Sequence, residues 1–140
     1  MYLLDTNVIS EMRRKRPHGS VIAWLRGVDE SDLYLSAVSF GEIQAGIERT
    51  RGTDPAKAAE LEAWSEQLAA TSNVLPMDAR TFRVFAKLMH RRSDDLFEDA
   101  MIAATALVNR LKVATRNVKD FRHFDVEIFN PYQSAGSTGS

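Results

Sequence analysis

The sequence predicts an α/β protein in which a parallel central sheet of four to five strands is covered by helices on both faces. Three observations predict it. Short apolar runs alternate along the chain with segments of helical periodicity, which is the pattern of strands linked by crossover helices. The links are only a few residues long, as they are in parallel α/β units. The chain has 140 residues, of which 44% are hydrophobic, enough for one domain with a sizeable core.

Tyr2 to Leu4 is a short apolar run that ends at Asp5-Thr6-Asn7, and Val8, Ile9 and Met12 then recur at helical spacing. Arg13-Arg14-Lys15-Arg16-Pro17 closes that helix, because basic side chains suit its carbonyl end and proline cannot continue it. Val21, Leu25 and Val28 mark a second short helix, and Leu33-Tyr34-Leu35-Ser36 reads as a buried strand. A helix starts near Ser39 and carries Glu42. Asp54-Pro55 supplies an N-cap followed by proline at the first helical position, and Leu61, Trp64 and Leu68 give the next long helix its apolar stripe. Asn73-Val74-Leu75-Pro76 reads as a third strand. Phe82, Phe85, Ala86 and Met89 follow the i, i+3, i+4, i+7 rule of an amphipathic helix. Asp99 to Arg110 is alanine-rich and helical. Lys112 to Thr115 and Val126 to Phe129 are the last strands. The domain is expected to span residues 1–132. Residues 133–140 lack apolar content and are expected to form a disordered tail.

Composition removes several classes of function. The chain carries 18 Lys and Arg against 19 Asp and Glu, a net charge of −1, so a nucleic acid would be held by a local basic patch and not by the field of the whole molecule. Without cysteine there is no disulfide framework, thiolate zinc site or cysteine nucleophile, and a reducing compartment suits the chain. No apolar run approaches the roughly 20 residues needed to cross a bilayer, and Met1 to Asp5 is too short and acidic for a signal peptide. A cytoplasmic protein is expected. His18, His90 and His123 show no regular metal spacing and read as surface or packing residues.

The acids carry the functional signal. In open parallel α/β sheets ligands bind outside the carboxyl ends of the strands. Asp5 directly follows the first strand, Glu42 opens the helix after the second, Asp99 opens the alanine-rich helix, and Asp120 lies in the loop after the fourth strand. Each one alone is explained by helix capping or by the helix dipole. Asp78, placed as the N-cap of the Phe82 helix, is assigned that role. If the other four meet at about 5 Å, each pair repels by about 3 kcal/mol at an effective dielectric near 20. Cations must then balance the cluster, and hard oxygen ligands select Mg²⁺ or Mn²⁺ over zinc. Helical geometry turns Glu98 about 100° away from Asp99 and out of that expected set.

Four segments carry a family resemblance. Met1-Tyr2-Leu3-Leu4-Asp5-Thr6-Asn7-Val8-Ile9-Ser10-Glu11 resembles the opening of PIN-domain ribonucleases, in particular the VapC-like toxins of toxin-antitoxin pairs and their FitB-like branch. Ser36-Ala37-Val38-Ser39-Phe40-Gly41-Glu42 resembles the second acidic motif of that family. Asp99-Ala100-Met101-Ile102-Ala103-Ala104-Thr105-Ala106 resembles the third, and Ala114-Thr115-Arg116-Asn117-Val118-Lys119-Asp120-Phe121 the fourth. The segments come in the family's order and span most of the chain.

The resemblance implies a three-layer PIN-like fold and a metal-dependent endoribonuclease, with Asp5, Glu42, Asp99 and Asp120 as catalytic residues holding Mg²⁺ or Mn²⁺. Many relatives have an acid two residues after the threonine, where Asn117 stands here. Asn117 is then a neutral ligand or a substrate contact, and Asp120 could be displaced from the ion. One or two divalent ions would activate water and neutralise charge on the scissile phosphate. Thr6, Asn7 and Thr115 are candidate water or substrate contacts. Arg13, Arg14 and Arg49 are candidate phosphate contacts, Arg49 standing seven residues after Glu42 on the same helical stripe.

The resemblance also implies a cognate antitoxin whose C-terminal segment covers the acidic groove, and a homodimer. The Val21, Ile22, Trp24, Leu25 stretch and the Leu61, Trp64, Leu68 stripe could bind a partner helix, but core packing is the simpler reading. A haloacid-dehalogenase-like phosphatase needs a second acid where Asn7 stands, and a receiver-type switch needs clustered acids after the first strand. The remaining alternative is a catalytically inactive PIN-like domain that binds RNA or a partner, which predicts that acids have been lost.

Overall fold

The computed structural model describes residues 1–133. The expected disordered tail lies outside the described residues, apart from the exposed Gln133. Strand β1 (Tyr2–Leu4) leads into α1 (Thr6–Glu11) and α2 (Gly19–Gly27), and a 3-10 turn (Glu30–Asp32) leads to β2 (Leu33–Ser36). Next come α3 (Ala37–Arg51), α4 (Pro55–Thr71), β3 (Asn73–Leu75) and α5 (Ala79–Met89). After a second 3-10 turn (Asp94–Leu96), α6 (Phe97–Asn109), β4 (Lys112–Ala114), α7 (Val118–Phe121) and β5 (Ile128–Phe129) complete the chain.

The sheet has five strands in the order β3-β2-β1-β4-β5, and every pairing is parallel. Central β1 pairs Tyr2 with Leu33 on one side and with Lys112 on the other. The chain builds outward from β1 through β2 and β3, then returns to add β4 and β5 on the opposite side. The strand order therefore reverses between β1 and β4, and in such sheets that reversal opens a ligand crevice at the strands' carboxyl ends. Asp5 and Thr115 stand there, and Asp5 N–H donates to the Ala114 carbonyl at 2.9 Å.

Alternation along the strands sorts the apolar side chains into two cores. Leu3, Tyr34, Leu75 and Val113 face α5, α6 and α7, together with Ile102, Phe121 and Phe124. Tyr2, Leu4, Leu35 and Ala114 face α1 to α4, together with Val8, Ile9, Val21 and Trp64. This is the three-layer α/β architecture the sequence predicts, with short apolar strands buried on both faces. Burying a leucine such as Leu3 or Leu4 contributes roughly 1.5–3 kcal/mol. In α6, Ala100, Ala103, Ala104 and Ala106 are fully buried, and their small side chains let the helix lie close against the sheet.

Some details differ from the sequence pattern. β3 stops at Leu75, because Pro76 has no N–H to add to a ladder. Asp120 belongs to the single turn α7 and not to a loop. In α5 the inward side chains are Thr81, Phe85, Leu88 and Met89, while Phe82 is 49% exposed. The expected stripe was out of phase because the Phe82 ring stacks edge-on against Phe85, centroids 6.3 Å apart, and not into the core. The Val21 and Leu68 stretches both pack into the second core, as the simpler reading expected.

Candidate active site

Asp5 ends β1 and caps α1. Its Oδ1 accepts the Thr6 N–H at 2.8 Å, so the capping role is real. Oδ2 accepts the Thr115 hydroxyl at 2.7 Å and the Asn7 side-chain amide at 3.1 Å. Three donors on one carboxylate fix its rotamer, and an ionised carboxylate has about four lone-pair sites to offer. Burial at 4% exposure still outweighs the donors and raises the Asp5 pKa. Thr115 is itself held, since its hydroxyl accepts the Asn117 N–H at 2.9 Å. Asn7 links the same two strand ends, its Oδ1 accepting the Arg116 N–H at 3.4 Å.

The serine that ends β2 begins α3. Ser36 Oγ accepts the Val38 N–H at 3.1 Å. Ser39 and Glu42 then lie one turn apart on the helix face that meets α1. Thr6 O–H donates to Glu42 Oε1 at 3.0 Å, with Ser39 Oγ 2.8 Å from the same hydroxyl. Glu42 is half-buried, with the Glu98 carboxyl nearby. Burial first, then the neighbouring Glu98 carboxyl, push its pKa up to about 8.

Asp99 stands in the first turn of α6. Burial, followed by the charges of Asp5, Asp120 and Glu98, raises its pKa to about 6. The four predicted acids therefore stand within reach of one another's charge in a chain of pairs, Glu42 with Asp5, Asp5 with Asp99 and Asp99 with Asp120. Glu98 is a fifth member that the sequence reading turned away. Its charge bears on Asp5 and Glu42 as well as on Asp99, one residue along α6.

Among the described residues, no three Asp, Glu or His side chains close on a single ion position. The chemistry of the set nevertheless fits a hard divalent cation. All the candidate donors are carboxylate oxygens, and among the described residues no lysine, arginine or histidine forms an ion pair with Asp5, Glu42 or Asp99.

The other candidates fall around this centre. Arg13 and Arg49 line a cavity that starts at Thr6 and Glu42. Asn117 and Asp120 line a second cavity, with Lys119 and Arg122. Arg14 instead leans on Glu11, 3.6 Å away. Glu11 was not expected at the site, and it is 3% exposed. Burial works against its charge, yet the His18 N–H at 3.0 Å and the Tyr132 O–H at 3.0 Å lower its pKa overall. Tyr132 O–H also lies 3.0 Å from the Asn7 carbonyl. This clamp ties the end of the chain to the Asp5-Thr6-Asn7 turn. The half-buried His18 packs on the Tyr132 ring, so it is the packing residue its spacing suggested.

The PIN domain profile matches residues 2–127 of the chain. The chain belongs to the PIN-domain family. Among its relatives, Toxin FitB of Neisseria gonorrhoeae is 35% identical over 139 residues, covering 94% of this PIN domain and 99% of the relative. VapC ribonuclease Y4jK of Sinorhizobium fredii is 34% identical over 140 residues, covering 96% and 100%. Among solved structures, that of FitAB bound to an IR36 DNA fragment matches with a TM-score of 0.80 at 34% identity, covering 95% of this chain and 96% of that one. The likeness to these relatives thus runs through the whole chain and not through an isolated segment. No helix of the described residues is long and apolar enough to cross a membrane.

Proposed function

We propose that this PIN domain is a cytoplasmic endoribonuclease that works with Mg²⁺ or Mn²⁺, and that it is the toxin of a toxin-antitoxin pair. The observation that carries the reading is that Asp5, Glu42, Asp99, Asp120 and Glu98 bear on one another's charge and that, among the described residues, none of them forms an ion pair with a basic side chain. The kinship with Toxin FitB and with a VapC ribonuclease supports it. An inactive descendant would have lost acids, and all four predicted positions are filled.

Asp5, Glu42, Asp99 and Asp120 would hold the divalent ion, which when bound would supply positive charge to activate water at neutral pH and to offset charge on the scissile phosphate. The rest of the work falls to the chain's own groups. Thr115 and Asn7 hold Asp5 in one rotamer, and Thr6 holds Glu42, so the oxygens are placed before RNA arrives. Asn117, beside Asp120, is placed to contact substrate or to act as a neutral ligand. Arg13 and Arg49 offer charge to the backbone phosphates on one side of the acids. The antitoxin's C-terminal segment would cover the acidic cleft and block RNA. Phe82 and Phe97, 49% and 48% exposed, flank Phe85 in one aromatic patch and form the face for a second copy.

The test is cleavage of RNA by the purified protein. Mg²⁺ or Mn²⁺ should support it, and EDTA should stop it. Asp5→Ala and Asp99→Ala should each abolish it at an unchanged fold, because both changes remove like charge from the cluster. Undiminished cleavage by purified Asp5→Ala would refute the assignment.

A further inference from the structure

We infer that the cavity between α1, α3 and α4 is a nucleotide subsite, which holds the base of one unpaired RNA nucleotide against Trp64 and its phosphate between Arg13 and Arg49. The inference rests on the nuclease reading and extends it to how the substrate is gripped. The cavity measures about 520 Å³, within the usual size range of small-ligand sites. Its wall includes Thr6 and Glu42, which belong to the acidic site, together with Leu61 and Trp64 of α4. A strand whose scissile phosphate lies at the acids therefore has a neighbouring nucleotide within reach of it.

The charges in its wall point to an anion. Arg14 pairs with Glu11 at 3.6 Å, and Arg51 pairs with Glu48 at 3.0 Å and Glu62 at 3.1 Å. Arg13 and Arg49, which line the cavity, have no carboxylate within 4.0 Å among the described residues. Glu42 does not quench them, since it accepts the Thr6 hydroxyl and forms no ion pair with either arginine. Two exposed guanidiniums without partners, beside a centre that processes a phosphodiester, match a phosphate.

The Arg49 guanidinium folds back along α3, as side chains on a helix lean toward the turn before them, and its Nη2 lies beside Gly46. Trp64 is half-buried, packing into the second core while also lining the cavity beside Ile43. An indole placed in this way offers a base a stacking surface that reads no sequence, and only an unpaired base can use it. Thr50 and Thr53 add hydroxyls for the ribose or the base edge.

The experiment uses the Trp24→Phe variant, which leaves Trp64 as the only tryptophan, titrated with nucleoside 5′-monophosphates in EDTA. Saturable quenching of tryptophan fluorescence is expected. Arg13→Gln with Arg49→Gln should weaken it at least tenfold, and Arg49→Gln alone should raise KM for cleavage of a single-stranded oligoribonucleotide more than it lowers kcat. Should Trp24→Phe fail to fold, calorimetric titration of the unsubstituted chain and of the double arginine variant makes the same comparison. Absent binding, or binding undiminished in the double variant, overturns the subsite. Binding of a basic amphipathic peptide but of no nucleotide also overturns it, and gives the cavity to a protein partner. Because the titration involves neither metal nor turnover, its failure with cleavage intact sinks the subsite alone. Binding without any cleavage sinks only the nuclease reading.

Discussion

The Thr115 hydroxyl, fully buried at the switch point of the sheet, is the shortest of the contacts that fix Asp5. Its donation favours the ionised carboxylate against the burial that raises the pKa. Thr115→Val keeps the shape and removes the donor, so the Asp5 pKa should rise further. Cleavage should fall about tenfold or more at pH 6 and less at pH 8, moving the acidic limb of the pH profile upward. An unmoved limb would show that Thr115 only packs. Stability should drop by about 1–3 kcal/mol, the usual cost of leaving a buried polar partner unpaired. Asp5 itself was legible in the sequence from its place after an apolar run. Thr115 was legible only as a candidate, and Glu98 was misread, because helical phase gives a direction but not which charges the fold brings near. Tyr132 and Glu11 carried no sequence signal: they stand 121 residues apart and meet only through the sheet order.

Asp78 and Asp5 look alike at the level of an element, each preceding a helix after a short strand. The structure separates them. Asp78 accepts the Thr81 hydroxyl at 2.7 Å and the Thr81 N–H at 2.9 Å, and these bonds lower its pKa. Asp78→Ala should lower the urea midpoint and leave RNA cleavage unchanged. Lost cleavage at an unchanged midpoint would mean that the wrong aspartate was assigned to the helix end. Helices and strands were readable because each buries a face whose period is written locally, as in the alanines of α6. The phase of α5 was not readable, because a phenylalanine on the surface looks the same in sequence as one in the core.

At the scale of the whole molecule, the clustered acids make stability depend on pH. Glu42 and Asp99 have folded pKa values of about 8 and about 6, above their ordinary 4.5 and 3.8, so the folded state holds their protons more tightly than the unfolded chain does. Their stabilising contribution is complete below about pH 4 and is lost as pH rises through 6 and then 8. In EDTA, the melting temperature should therefore fall from pH 5 to pH 9. Mg²⁺ should flatten that slope, and Glu98→Gln should also reduce it by removing a like charge. A flat profile in EDTA would contradict the clustering. The aromatic patch makes a separate claim about assembly: Phe82→Glu should leave the melting temperature nearly unchanged and shift the chain from dimer to monomer in analytical ultracentrifugation. An unchanged sedimentation coefficient would remove Phe82 from the interface.

The α/β class, the alternation of strands and helices and the helix that Asp78 caps were determined by the sequence alone, because each depends on neighbours within a few residues. Which acids stand within reach of one another depended on the order β3-β2-β1-β4-β5, which brings the ends of β1 and β4 together. That order follows from how two apolar faces are buried at once. Tertiary packing therefore decided that Glu98 joins Glu42, that Tyr132 closes on Glu11, and that Arg13, Arg49 and Trp64 enclose one cavity.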